Sequence, residues 1–208
     1  MRLFAEATLA DAPLRAQLSQ SSDQERAALM NRAKTDYRGF YELAKDMFLP
    51  VSPETGRLLY LLARGTKARS IVEFGTSFGL STLHLAAALK DNAGGRLIGT
   101  EFEPTKVARA RENLSQAGLS EFVEIREGDA LETLARDLPN SIDLLVLDGA
   151  KVLYPRILAL TEARLRPGAL VLADNADHNP EFLSYVRTPA NGYVSVPFAE
   201  DVELFMRA

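Results

Sequence analysis

Short apolar runs alternate with helix-like segments along most of the chain, and this alternation constrains the fold more than any other feature. Residues 142–147 (Ile-Asp-Leu-Leu-Val-Leu) are almost continuously apolar, as a central parallel strand is when helices cover both faces of its sheet. Four further strands are predicted at 70–74, 96–100, 122–126 and 169–173. The alternation predicts a doubly wound α/β sheet, mostly parallel, with right-handed crossovers. Two β-like runs at 193–198 and 202–206 add a predicted antiparallel edge, which makes seven strands.

The regions around these strands read as helices and turns. Residues 1–46 have helical spacing and no strand pattern, which predicts two or three helices packed on the rest of the chain. A helix is predicted to begin at Ser52-Pro53-Glu54 and to end near Gly65, and residues 166–168 (Arg-Pro-Gly) are predicted to form a turn. We expect a single domain over 1–208, with 1–50 as a helical appendage within it.

Composition excludes several kinds of protein. The 208 residues contain 24 Lys and Arg against 28 Asp and Glu, a net charge of −4, which argues against a nucleic-acid partner. There is no cysteine, so a thiolate metal site and a cysteine nucleophile are excluded, and a metal would need oxygen ligands or one of two histidines, His84 and His178. No signal peptide or membrane-spanning run is found, and we expect a cytoplasmic protein with no membrane partner.

Acidic residues stand at the end of every one of the five predicted parallel strands. They are Glu73, Glu101, Asp129, Asp148 and Asp174. Ligands of such sheets bind beyond the carboxyl ends of the strands, so these side chains are predicted to share one binding site. Turns and helix caps alone would account for fewer acids at that edge.

The loop after the first strand contains two glycines and leads directly into a helix. Gly75 allows a tight turn, and Gly79 allows a ligand to approach the backbone closely. Ser77 stands where the dinucleotide fingerprint has its middle glycine, which makes a nicotinamide-dependent dehydrogenase improbable. No Gly-Lys-Ser/Thr follows, so a P-loop is excluded.

The segment from Pro50 to Asn175 resembles the class I S-adenosylmethionine-dependent O-methyltransferases, in particular the branch of the catechol and caffeoyl-CoA enzymes. The resemblance implies that Glu73 binds the ammonium of S-adenosylmethionine, Ser81 its carboxylate and Glu101 its ribose hydroxyls. It further implies a cofactor site that includes Val51, Gly75, Thr76, Ser77, Gly79, Asp129, Ala130 and Asp148, with Asp129 and Ala130 at the adenine amino group. These pairings suit the donors and acceptors concerned.

Two further motifs resemble those of the metal-dependent members. Asp148 and Lys151 stand in a D-x-x-K-x-x-Y motif, and Asp174-Asn175 resembles the D-N pair. The resemblance implies a divalent cation such as Mg²⁺ held by Asp148, Asp174 and Asn175, with Lys151 as general base. Burial, the cation and the cofactor sulfonium are expected to lower the pKa of Lys151. The expected reaction moves a methyl group to a hydroxyl of a small catechol-like or other phenolic acceptor.

The last forty residues fit the family less well, and several alternatives stay open. The segment 175–193 is shorter than in relatives, so an acceptor pocket that is more open or differently shaped is expected. A metal-independent methyltransferase with another small-molecule acceptor, and a cofactor-binding protein without catalysis, are the alternatives. His84 and His178 are interpreted as structural or loop residues, and Tyr154 as a packing residue or a substrate contact. A homodimer is expected, as in relatives.

Overall fold

Seven strands form one sheet in the computed structural model, which describes residues 2–198 and 201–208. The strands are β1 (Ser70–Phe74), β2 (Arg96–Glu101), β3 (Val123–Glu127), β4 (Ile142–Leu147), β5 (Leu165–Ala173), β6 (Tyr193–Pro197) and β7 (Glu203–Arg207). Their order is β3-β2-β1-β4-β5-β7-β6. The first five strands are parallel, and β7 pairs antiparallel with both β5 and β6. The predicted fold class is therefore confirmed.

The strand order reverses between β1 and β4, in the middle of the sheet. Val72 of β1 pairs with Ile98 of β2 on one side and with Leu145 of β4 on the other, and all three side chains are fully buried. Apolar side chains project from both faces of β4 and pack under the helices on each side. This explains the continuous apolar run in the sequence. The reversal opens a crevice at the carboxyl ends of these strands.

Ten helices surround the sheet in the described part of the chain. They are α1 (Arg2–Ala10), α2 (Ala12–Gln20), α3 (Asp23–Thr35), α4 (Tyr37–Leu43), α5 (Pro53–Gly65), α6 (Leu80–Asp91), α7 (Pro104–Gln116), α8 (Ala130–Thr133), α9 (Tyr154–Thr161) and α10 (Pro180–Val186). The predicted start and end of α5 are confirmed, and the hydroxyl of Ser52 caps it by accepting from the Thr55 amide. The N-terminal segment contains four helices, where two or three were predicted. None of the described helices is long and apolar enough to cross a membrane.

The prediction of a turn at residues 166–168 was wrong, because these residues lie within β5. The pairing of β4 with β5 shifts register between Ile142 and Leu144, and Gly168 has a φ of 76°. The irregularity accommodates Pro167, which cannot donate to a ladder, without ending the strand.

The N-terminal helices are attached to the sheet through buried contacts. Asp11 is buried, and its carboxylate accepts from the amides of Phe48 (2.8 Å) and Leu49 (2.9 Å). The ring of Phe48 stacks on Phe78 of the loop after β1, with centroids 4.1 Å apart. The segment that leads into α5 is thereby held against the carboxyl edge of the sheet, with α3 and α4 above it.

Candidate functional site

A cavity of about 270 Å³ opens at the carboxyl edge of the sheet, where the crevice was expected. The predicted site residues that line it are Gly75, Ser77, Glu101, Asp129, Ala130, Asp148, Lys151 and Asn175. Those that do not line it are Val51, Glu73, Thr76, Gly79, Ser81 and Asp174. The loops after all five parallel strands therefore meet at one cavity, and α3 and α4 close its outer side.

Glu101 ends β2 with its carboxylate at the cavity wall. One oxygen accepts from the amide of Ser77 at 2.8 Å, and the other accepts from the amide of Glu103 at 2.9 Å. The two bonds fix the orientation of the carboxylate, and each oxygen retains a lone pair for a further donor. A ligand with two neighbouring hydroxyl groups would suit this acceptor pair.

Glu73 is fully buried at the end of β1 and faces three hydroxyl groups instead of the cavity. It accepts from Thr76 (3.0 Å), Ser81 (2.7 Å) and Thr82 (2.5 Å). Burial raises the pKa of Glu73, and the three hydroxyl donors oppose that rise. The roles of Glu73 and Ser81 toward a methionine moiety stay predictions, because in this structure the two side chains bind each other.

Gly75 is required by a close approach between two loops. Its φ is 97°, and a Cβ atom there would lie 2.5 Å from the amide nitrogen of Gly149. Asp148 donates its own amide to the carbonyl of Phe74 at 2.8 Å. The loops after β1 and β4 are thus in direct backbone contact, which places Asp148 beside the glycine loop.

Asp129 follows β3 and is contacted by α4, which the sequence did not indicate. Its carboxylate caps α8 by accepting from the Leu131 amide at 2.9 Å. The guanidinium of Arg38 forms an ion pair with the same carboxylate, and the hydroxyl of Tyr37 lies 3.5 Å from it. The predicted adenine contact is therefore occupied by donors of the protein itself.

Tyr41, one turn further along α4, lies at the other end of the cavity. Its hydroxyl is 3.5 Å from the carbonyl of Gly149, and burial raises its pKa. Tyr37, Arg38 and Tyr41 all line the cavity. No motif marks them, because their role depends on how α4 packs across the sheet edge and not on local spacing.

Lys106 is a second residue that sequence reasoning missed. Its side chain lines the cavity, although the residue is only 4% exposed, and its ammonium lies 5.5 Å from the ring centroid of Phe78. Burial lowers its pKa, and the nearby charge of Glu101 opposes that effect. The lysine brings positive charge to the part of the cavity that Glu101 lines. On its amphipathic helix it was indistinguishable from a solvated lysine.

Asp148 and Lys151 form an ion pair at the end of β4. The Nζ atom of Lys151 is 3.0 Å from Oδ1 of Asp148, and 5.6 Å from the ring centroid of Tyr154. Burial lowers the pKa of Lys151, but Tyr154 and the Asp148 carboxylate raise it by more, so that the net direction is well upward. The expected lowering of this pKa is not found in the protein alone. It would need the positive charges of the cofactor and the cation.

Asp174 follows β5, and its carboxyl group interacts electrostatically with that of Asp148 after β4. Burial and the charge of Asp148 raise the pKa of Asp174 to about 8. Burial also raises the pKa of Asp148, against the opposing effect of Lys151. Two buried carboxyl groups thus share one ammonium, and the site is short of positive charge when both are ionised.

The donor set fits a hard cation. Two carboxylates and the amide of Asn175 supply oxygen atoms of the kind that Mg²⁺ prefers. No three His, Cys, Asp or Glu side chains converge on a metal position in the described part of the chain, so the amide would be an essential third ligand. His178 also lines the cavity, and its ring lies 3.8 Å from Asp177.

Tyr154 is buried behind this acidic pair, where it joins the ends of two strands. Its hydroxyl lies 2.8 Å from the carbonyl of Leu147 and 2.7 Å from that of Asp174. The Asp174 amide also donates to the Leu147 carbonyl at 2.9 Å. These contacts hold β4 and β5 in the register that brings Asp148 and Asp174 together.

Residues 72–176 match the sequence model of a family described as a methyltransferase domain. This segment covers half of the chain and includes all five strand-end acids. The chain belongs to this methyltransferase-domain family.

Individual relatives of this methyltransferase-domain protein agree with the resemblance seen in its sequence. Over 130 residues it is 38% identical to a catechol O-methyltransferase of Niastella koreensis, a match that covers 61% of this chain and 58% of the relative. Over 127 residues it is 34% identical to a catechol O-methyltransferase of Mycobacterium tuberculosis, covering 61% and 57%. The matches therefore span less than two thirds of these relatives. The predicted resemblance to this branch is confirmed.

Solved structures resemble this methyltransferase-domain protein over nearly their whole length. The O-methyltransferase TomG of Streptomyces achromogenes, described in complex with SAM, is 26% identical, with a TM-score of 0.67 and 95% of each chain covered. A methyltransferase of Geobacter sulfurreducens is 27% identical, with a TM-score of 0.67, covering 95% of this chain and 98% of that one. The likeness thus includes the N-terminal helices and the antiparallel edge.

Proposed function

We propose that the protein is an S-adenosylmethionine-dependent O-methyltransferase that acts on a hydroxyl of a small phenolic acceptor, with the assistance of a divalent cation. The observation that carries the proposal is the meeting of Glu101, Asp129, Asp148, Lys151 and Asn175 at one cavity. Relatives named catechol O-methyltransferase and a similar structure in complex with SAM support the same activity. Each residue in this set offers a charge or an acceptor that the reaction needs.

The cofactor side of the cavity follows from the acceptors that face it. The two Glu101 oxygens, already oriented by the amides of Ser77 and Glu103, would accept the ribose hydroxyls. Asp129 would accept from the adenine amino group once Arg38 has turned away. The N-cap of α6, Gly79, makes no side-chain hydrogen bond, so the first amides of this helix would donate to the cofactor carboxylate if the cofactor reaches beyond the cavity lining. When bound, the cofactor supplies an electrophilic methyl group, and the cation acidifies and orients the acceptor hydroxyl.

The acceptor side is organised by the ends of β4 and β5. Asp148, Asp174 and Asn175 would hold the cation, and Tyr154 keeps the two strand ends together. Lys151 would take the hydroxyl proton on Nζ, which must first be neutral. Its contact with Asp148 opposes that state, so the lysine becomes a base only when other positive charges lie nearby. The aromatic residues Tyr37 and Tyr41 would then cover the acceptor from α4.

A methyltransferase that needs no metal is the second candidate. The ammonium of Lys151 already neutralises Asp148, and no three His, Cys, Asp or Glu side chains in the part of the chain that the structure describes converge on a metal position. In such an enzyme Lys151 and Asp148 would position a different small acceptor without a cation. A protein that binds the cofactor without catalysis is the remaining alternative.

A methyl-transfer assay on catechol distinguishes these candidates. The protein would be incubated with S-adenosylmethionine carrying a deuterated methyl group, and the product would be measured by mass spectrometry with Mg²⁺, with EDTA, and with EDTA followed by excess Mg²⁺. The proposal expects product with Mg²⁺, none with EDTA, and recovery on re-addition. Full turnover in EDTA would establish the metal-independent candidate. Cofactor binding without product on any of a panel of phenols would leave only the binding protein.

A lysine pair provides the matched control for the proton transfer. Lys151→Met is expected to reduce turnover by about 10²–10⁴-fold, because it removes the proposed base. Lys90→Met removes the same charge from an exposed position near the end of α6, far from the cavity, and is expected to leave turnover unchanged. Equal activity of the two variants would exclude Lys151 as the base.

The expected homodimer also stays a proposal. The edge strand β6 exposes Val194 (62%) and Val196 (53%), two apolar side chains that a second copy could cover. Light scattering on the purified protein decides between monomer and dimer.

A further inference from the structure

Asn175, the amide of the proposed cation site, is held by a residue 26 positions further along the chain. Its Nδ2 atom donates to Oδ2 of Asp201 at 2.9 Å. The next amide, that of Ala176, donates to the backbone carbonyl of Asp201 at 2.8 Å. Two consecutive residues after β5, Asn175 and Ala176, therefore both donate hydrogen bonds to Asp201, which lies shortly before β7. The backbone of Asn175 is left-handed, with a φ of 47°, which turns its side chain out of the strand direction.

The bond to Asp201 determines which way the Asn175 amide points. An ionised carboxylate only accepts hydrogen bonds, so the atom that faces Asp201 is the amide nitrogen. The carbonyl oxygen of the amide then faces the opposite way, and Asn175 is one of the residues that line the cavity. Within residues 2–198 and 201–208, no protein donor contacts this oxygen. An amide free to rotate would present its NH₂ group to the cavity as readily as its oxygen.

We propose that Asp201 is a positioning residue of the cation site, which orients the Asn175 amide so that its oxygen is available as a ligand. The inference rests on the metal-assisted function proposed above. A cation is repelled by an amide NH₂ group and attracted by an amide oxygen, so a fixed orientation favours binding. The contribution matters here because no three His, Cys, Asp or Glu side chains of the described residues converge on a metal position, so the proposed site depends on the amide as its third oxygen donor. Asp201 does not line the cavity.

Two substitutions at Asp201 separate orientation from charge. Asp201→Asn removes the charge but keeps an oxygen that can accept from Nδ2 of Asn175, whereas Asp201→Ala removes both. Asp177→Ala is the matched control, since Asp177 is an acid two residues after Asn175 and its side chain is 53% exposed. Asp201 is itself exposed, so the variants are expected to fold.

The first measurement is the affinity of the cofactor-free protein for Mn²⁺, determined by calorimetry. Asp201→Ala is expected to weaken Mn²⁺ binding by about 10- to 100-fold, while Asp201→Asn and Asp177→Ala retain most of the affinity. If Asp201→Asn loses as much as Asp201→Ala, the effect is one of charge and the inference is overturned. Wild-type affinity in Asp201→Ala overturns it as well, and leaves the proposed function standing.

The second measurement needs no metal. In ¹⁵N-labelled protein, the side-chain amide of Asn175 is assigned by its loss in Asn175→Ala, and its order is measured by relaxation. A rigid Asn175 amide in the wild type and in Asp201→Asn, with a mobile one in Asp201→Ala, supports the positioning role. A mobile amide in the wild type overturns it. A rigid amide in a protein that binds no Mn²⁺ would overturn the metal function and, with it, the purpose assigned to Asp201.

Discussion

The guanidinium of Arg38 on α4 pairs with the carboxylate of Asp129 after β3, and this pair closes one end of the cavity. Asp129 is the predicted acceptor for the adenine amino group, so the protein supplies from its own N-terminal helix the kind of donor that the cofactor would bring. The two donors compete for one carboxylate. The Arg38 side chain is 56% exposed, so the competition is a weak one.

Replacing Arg38 is therefore expected to strengthen cofactor binding. In Arg38→Ala the ion pair with Asp129 no longer has to be broken before the cofactor binds. The affinity for S-adenosylhomocysteine should therefore rise by about two- to fivefold, the size of effect expected for an exposed ion pair. Calorimetry measures the change. Arg57→Ala breaks an exposed pair with Glu54 away from the cavity and should have no effect. Weaker binding in Arg38→Ala would mean that the arginine contacts the bound cofactor.

The raised pKa of Asp174 makes the stability of the protein depend on pH. The folded-state pKa is about 8, against about 3.9 in an unfolded chain, so the folded state binds the extra proton. Stability should then be highest below about pH 4 as far as this group is concerned, and fall as pH rises toward 8, by at most about 1.4 kcal/mol per unit. Denaturation by urea at pH 5, 6, 7 and 8 measures the slope.

Asp174→Asn is expected to flatten that slope, because the amide does not titrate. Asp143→Asn is the contrasting variant, since the pKa of Asp143 is lowered and the group is ionised in both states over this range. It should leave the slope between pH 5 and 8 as in the wild type. An unchanged slope in Asp174→Asn would show that the carboxyl group ionises normally.

The hydroxyl of Tyr154 is expected to stabilise the ends of β4 and β5. Tyr154→Phe leaves the Asp174 carbonyl without this donor in a fully buried place, which should lower the free energy of unfolding by about 1–3 kcal/mol. Urea denaturation provides the value. Tyr185→Phe is the control, because its hydroxyl bonds to Glu162 at the surface, where water can replace it. Similar losses in both variants would contradict the role given to Tyr154.

The three hydroxyl groups that donate to Glu73 are expected to offset the free-energy cost of burying its carboxyl group. Thr82→Val preserves the shape of the side chain and removes one donor at 2.5 Å, which should cost about 1–3 kcal/mol of unfolding free energy. Thr105→Val removes a similar hydroxyl–carboxylate bond to Glu103 at an exposed site and should cost far less. Thermal unfolding compares the pair. A neutral Thr82→Val would show that two hydroxyls suffice.

The positions of most strands and helices could be predicted because each element leaves a pattern in its own short stretch of sequence. The apolar run at 142–147 became the central strand, and Ser52-Pro53 became a capped helix start, since burial on two faces and capping both leave a short-range pattern. The predicted turn at 166–168 failed for the same reason. Pro167 and Gly168 are local turn signals, and only the pairing with β4 carries the strand through them.

For the candidate site, too, one part could be predicted from the sequence and another could not. Acids at the ends of parallel strands must lie at one edge, so the meeting of Glu101, Asp129 and Asp148 at a common cavity could be predicted from their positions in the alternation. The direction in which each side chain points could not. Glu73 stands at a strand end like the others, yet its carboxylate turns into a cage of hydroxyls.

Residue types at fixed spacing were enough to predict the sheet and the edge that carries the cavity, and the absence of cysteine restricted the proposed metal site to oxygen and histidine ligands. The hydrogen-bond partners of these acidic side chains became known only from the tertiary structure. Arg38 reaches Asp129 across 91 positions, and Asp201 reaches Asn175 across 26. Such pairs form because packing brings distant segments within hydrogen-bonding distance. Local sequence patterns do not show which distant segments will meet, so these pairs could not be predicted.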